Sequence, residues 1–181
     1  MTLVGRGADV NAAVADGTTA PFIAAERGHL EVCATLVEAG AVVDVESDTS
    51  ATAFLVACEM GHLAVGALLL TNDANVNHQN ADGATSLFKA AFDGNLDIVE
   101  LCLSHGADVS LQTAARATPL LVACQTGRYA ICARLVAAGA DPNTPQATGV
   151  TPLHVASHGG HIDIVEMVNS ERQHNWGGGG G

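Results

Sequence analysis

The chain has 181 residues, 48% of them apolar, which is material for one domain or two small ones and excludes a wholly disordered polymer. Against 19 Asp and Glu stand 7 Lys and Arg, a formal charge of −12 with Lys89 as the sole lysine, and this argues against sequence-independent binding to nucleic acid or to an anionic membrane. Apolar residues come in bursts such as Ala53 to Cys58, short of the roughly 18 to 20 residues a membrane helix needs. The opening Met1 to Asp9 lacks the apolar length of a secretory signal, so the expected location is the cytoplasm or the nucleus.

Taken in chain order, Met1-Thr2-Leu3-Val4 aligns with Ala34-Thr35-Leu36-Val37. Residues 1–11 are therefore expected to be the closing half of a repeat unit, either the start of a fragment or a frayed cap. A period of 33 then organises the chain: Thr19, Thr52, Thr85, Thr118 and Thr151 recur at that spacing, as do Gly28, Gly61, Gly94, Gly127 and Gly160, without one insertion. Each threonine predicts a helix N-cap, strengthened in Thr118-Pro119 and Thr151-Pro152 by a proline whose missing N–H costs nothing at the first helical position. Five first helices are expected to start near 19, 52, 85, 118 and 151, with small apolar faces such as Leu120, Val122 and Ala123, and to stop at the glycine nine residues on. A second helix follows each, as Ile98, Val99, Leu101, Cys102 and Leu103 indicate in the third unit. It closes at a loop of the Gly106-Ala107-Asp108 or Gly139-Ala140-Asp141 type, and Asp73, standing where the others have glycine, is expected to take the same positive φ. The stretch from Asn75 to Thr85 is too short for a third helix and is expected as an exposed turn. Asn169 to Asn175 turns polar, as a terminal unit requires, and residues 171–181, with Trp176 and the glycines from Gly177 to Gly181, are expected to form a polar, Gly-rich tail.

Thr151-Pro152-Leu153-His154-Val155-Ala156, then Gly160-His161-Ile162-Asp163-Ile164-Val165, and the Gly-Ala-Asp loops together resemble the ankyrin repeat over about residues 1–170. The resemblance implies an all-α solenoid of stacked helix-turn-helix units joined by exposed turns or short hairpins. It further implies a non-catalytic protein-binding module or scaffold that receives a partner on the concave face built by the turn tips and first helices. The alternative is an ankyrin segment of a larger kinase, ubiquitin-ligase adaptor or channel whose active domain lies outside these residues. The chain departs from the pattern at Ala20, Ala53 and Ser86 in the proline position and at Phe22, Leu55, Phe88 and Leu121 in the histidine position; Ser50 and Arg116 replace a turn glycine. These departures are expected to weaken single units and to leave the fold intact.

Residues that could carry chemistry have structural readings that fit better. His154 and His158 share a helix face near His161, yet Val155 stands where a zinc protease needs glutamate; no metal or cofactor is expected. The five cysteines, Cys33, Cys58, Cys102, Cys124 and Cys132, are odd in number and lack a C-x-x-C pair, so they are expected as small core hydrophobes. Gly5-Arg6-Gly7 and Gly159-Gly160 lack the lysine of a phosphate loop, and no carboxylates pair as a catalytic acid and base. No enzyme activity is expected. At the ends of the first helices, however, Met60 and Phe92 are apolar where solvation favours polar side chains. The candidate site has these two as anchors, rimmed by Asp48, Glu59, Asp82 and Asp93 with Gln125 beside them, and suits a basic or mixed basic-apolar segment of another protein. The partner is expected to be neither nucleic acid nor membrane, and the chain to be a monomer.

Overall fold

The computed structural model describes residues 8–175, with side chains as far as Asn169. Residues 1–7 of the expected opening half unit, and Trp176 with the terminal glycines, lie outside the described residues. Ten helices fill the rest: α1 (Ala20–Glu26), α2 (Leu30–Glu38), α3 (Ala53–Glu59), α4 (Leu63–Leu70), α5 (Ser86–Asp93), α6 (Leu96–Ser104), α7 (Pro119–Gln125), α8 (Tyr129–Ala137), α9 (Pro152–Gly159) and α10 (Ile162–Asn175). Odd-numbered helices are the first of each unit and even-numbered helices the second. The last continues past residue 170 to Asn175.

Each first helix begins where a threonine supplies an acceptor, buried in the first four units and half-buried at Thr151. The Oγ1 atoms of Thr19, Thr52, Thr85 and Thr118 accept from the N–H of Phe22, Leu55, Phe88 and Leu121 at 3.5, 3.3, 3.2 and 3.2 Å, satisfying one orphan donor of each helix end. At Thr151 the imidazole of His154 joins in: its Nδ1 lies 2.8 Å from Oγ1 and accepts from the Thr151 N–H at 3.3 Å. Gly28, Gly61, Gly94, Gly127 and Gly160 all hold positive φ at the helix ends, and Asp73 does so at +67° in the loop, as its position predicts. Ser50 (φ +53°) and Arg116 (φ +59°) are also left-handed, occupying the turn position that Gly17, Gly83 and Gly149 fill in other units.

Helices of 7 to 9 residues are too short to persist alone; packing holds them. Each lies against its partner in the unit and against the equivalent helix of the next, α1 on α3, α3 on α5, α5 on α7 and α7 on α9, with the second helices stacked likewise. Equivalent residues therefore form columns through the core. Val65, Ile98, Ile131 and Ile164 are at most 2% exposed, whereas Val32, in the same column but with no helix pair outside it among the described residues, is 48% exposed.

Two lines of hydrogen bonds tie the units together at their loops. Every turn tip is closed within itself, by Val14 N–H to Thr18 O at 2.9 Å in the first unit and by its equivalents from Ser47, Asn80, Thr113 and Gln146. The tips are then joined to one another, because the N–H groups of Asp48, Ala81, Ala114 and Ala147 donate to the carbonyls of Asp16, Thr49, Asp82 and Ala115 in the preceding tips, at 2.8 to 3.2 Å. At the other loops, the side chains of Asn11, Asp44 and Asn77 accept from the N–H groups of Val42, Asn75 and Asp108 of the following unit at 2.8 to 2.9 Å.

Candidate protein-binding face

The tip hairpins and the first helices present one continuous face. Because tip N–H groups and carbonyls are spent on one another, this face is fixed in register and offers its side chains to solvent. Met60, the C-cap of α3, is 53% exposed, and Phe92, in the last turn of α5, is 51% exposed. They occupy the same ends of adjacent first helices, as the repeat places them. Asp48, Asp82, Asp93 and Gln125 are likewise exposed. Glu59 differs: its carboxylate lies 2.8 Å from the ammonium of Lys89, which reaches across from α5. The chain's sole lysine thus pairs with one acid of the expected rim, whereas Asp48, Asp82 and Asp93 make no ion pair among the described residues.

A groove lies one unit away, between the first two tips and α1. Val14, Asp16, Thr18, Phe22, Ile23, Glu26, Ser47, Asp48 and Thr49 line an open groove of about 410 Å³. Of the seven expected site residues only Asp48 belongs to it. Val14 is 59% exposed and Ile23 47%, with half-buried Phe22 between them as a floor. Asp16 accepts hydrogen bonds from the Thr18 hydroxyl and from the Thr18 N–H (3.0 Å), which hold its carboxyl below the usual aspartate range and keep it charged. Glu26 pairs loosely with Arg27 at 3.6 Å. A signal for the groove exists in the repeat itself, since Val14 is apolar in a column otherwise made of Ser47, Asn80, Thr113 and Gln146.

His62, His154, His161 and the cysteines are built into the fold. His154 caps α9. His62 Nε2 hydrogen-bonds the Glu26 carbonyl at 3.1 Å, and the rings of His62 and His161 lie over Gly28 and Gly127, where an added Cβ would come within 2.6 and 2.5 Å of them. All five cysteines are free and buried. Cys124 Sγ lies 3.6 Å from Cys132 Sγ, linking the two helices of the fourth unit. The thiols of Cys132 and Cys102 are pushed far up, first by the neighbouring thiols of Cys124 and Cys58 and then by burial, and burial alone raises Cys33. Among the described residues, no cluster of three or more His, Cys, Asp or Glu could hold a metal ion, and no helix is long and apolar enough to cross a membrane.

Stacked helix pairs with a loop-built face define a helical-repeat solenoid, a class whose extended surfaces serve recognition. The family model for ankyrin repeats, in three copies, matches residues 1–80, 64–146 and 87–175, and the chain belongs to the ankyrin-repeat family. Ankyrin repeats are in general protein–protein interaction modules and typically non-catalytic. No curated protein matches the chain.

Proposed function

We propose that the chain is a non-catalytic binding module, acting as a monomer in the cytoplasm or nucleus, that receives a basic or mixed basic-apolar segment of a partner protein on its concave face. Met60 and Phe92 are the anchors, Asp48, Asp82 and Asp93 the charged rim, Glu59 a rim acid shared with Lys89, and Gln125 a neutral donor at the edge. The observation that carries this reading is the half exposure of Met60 and Phe92 at equivalent ends of adjacent first helices. Large apolar side chains inside a charged ring are a common way to concentrate interface energy, and the unpaired carboxylates steer a cationic partner toward them.

The test is a quantitative affinity pulldown from cell lysate at low and moderate salt, comparing wild type with the Met60→Ala/Phe92→Ala double variant. A partner depleted by the double variant and weakened by salt supports the site, because exposed charges are screened beyond about 8 to 10 Å. Partners retained unchanged by a folded double variant refute it.

A further inference from the structure

Building on the protein-binding reading above, we infer that the groove between the first two turn tips is a second docking subsite, seating an extended segment of a partner protein in which an aliphatic side chain is flanked by Lys or Arg. The groove joins the two chemistries such a segment needs. Val14, Phe22 and Ile23 supply an apolar floor, and Asp16, Glu26 and Asp48 stand around it. Val14 is exposed on its hairpin tip, and the same position is polar in the other units. The Thr18 hydrogen bonds hold the Asp16 carboxyl below the usual aspartate range, so this member of the rim favours its charged form.

The shape selects the occupant. A site this open cannot enclose most of a small molecule's surface, as ligand pockets do, but it can take one side chain from a passing strand. Extended chain sends alternate side chains to opposite sides, and the long stems of Lys and Arg can bend back so that their charged heads reach the rim. A second copy of the chain is a poor occupant, since its formal charge is −12 and its sole lysine is already paired with Glu59.

The experiment is fluorescence anisotropy with the fluorescein-labelled peptide Gly-Lys-Leu-Lys-Leu-Lys-Gly and two counterparts, one with Glu for Lys and one with Ser for Leu. Both replacements are expected to weaken binding about tenfold or more, as is the variant Asp16→Asn/Asp48→Asn, which keeps the acceptor for Thr18 while removing two charges. Glu38→Gln/Asp97→Asn removes two carboxylates elsewhere and should leave the affinity unchanged; an equal loss there would mean diffuse attraction and overturn the inference, as would failure of the Lys-Leu peptide to bind wild type. Val14→Ser should weaken the peptide without moving the melting curve. A loss confined to Met60→Ala/Phe92→Ala overturns the groove but keeps the concave-face reading. A loss confined to the Asp16 and Asp48 variant supports the groove and removes the Met60 and Phe92 anchors for this segment. Binding indifferent to both variants overturns both.

Discussion

One turn position, filled by Gly17, Ser50, Gly83, Arg116 and Gly149 in successive units and left-handed in all five, allows strain and inter-unit contact to be separated. A side chain in this region costs roughly 1–2 kcal/mol, while glycine costs about 0.5–1 kcal/mol in extra unfolded-state freedom. Arg116→Gly relieves the first and incurs the second, for a net stabilisation of about 0.5–1 kcal/mol. Gly149→Ala is the reverse, because a Cβ there meets nothing within 4 Å, and should destabilise by about the same amount. Gly83→Ala adds a clash, since its Cβ would stand 3.0 Å from the Ala114 nitrogen and 3.1 Å from the Thr113 Cα. Those atoms belong to the next tip's backbone, and forcing them apart brings the total to about 2–3 kcal/mol. With a urea slope near 2 kcal/mol per molar, the expected midpoint shifts are roughly +0.4 M, −0.4 M and −1.2 M. Urea titration followed by far-UV circular dichroism measures them. Equal losses for Gly83→Ala and Gly149→Ala would refute the claim that tips are locked together by close backbone packing.

Other outcomes follow from single contacts. Thr118→Ala removes a buried cap from α7 and should cost about 1–2 kcal/mol in thermal denaturation, with Thr118→Ser restoring most of it. Ile98→Ala, at a fully buried core position, should cost about 2–5 kcal/mol, while Ile162→Ala, at a position 71% exposed, should change stability by less than about 0.5 kcal/mol. The folded-state carboxyls of Asp16, Glu100 and Asp108 are held low by the Thr18 hydroxyl and N–H, by Arg134, and by the Ser110 hydroxyl and N–H respectively. Their contribution is therefore full above the ordinary carboxylate pKa of about 4 and is lost as pH falls below it. Melting temperature scanned from neutral to acid pH should drop over that window, less steeply in Asp108→Asn. With all five cysteines buried, a water-soluble aromatic disulfide reagent should leave native thiols unreacted and titrate all five in denaturant.

The repeat was legible because its punctuation is local. A threonine acts on an N–H three residues away and a helix-ending glycine on the preceding turn, so the five caps and the helix pairs could be placed from spacing alone. Asp73 could be placed in the same way, and Ser50 and Arg116 could be marked as departures whose left-handed backbone the structure then shows. What depended on neighbouring units was not legible. The exposure of Val32 arises from what packs beside its unit, and Lys89 meets Glu59 only because α3 and α5 are stacked. The candidate face divides along this line. Met60 and Phe92 stood out as apolar residues at polar positions, while the groove beside Val14 and Ile23 exists because two tips lie side by side. Its one sequence trace, a valine among polar equivalents, acquires meaning once the column is seen to face a cleft.

The hydrogen bonds between tips also govern how the protein answers force. Units stack on their neighbours, and each pair of neighbouring tips is joined by one backbone hydrogen bond, so a pull on the two termini loads the interfaces in series. A tug that breaks one tip contact and its packed helices frees a single 33-residue unit, equivalent to about 110 Å of extended chain. The remaining stack keeps its own contacts. Stretched in this way, the molecule should lengthen in even steps, as a spring whose coils open one after another.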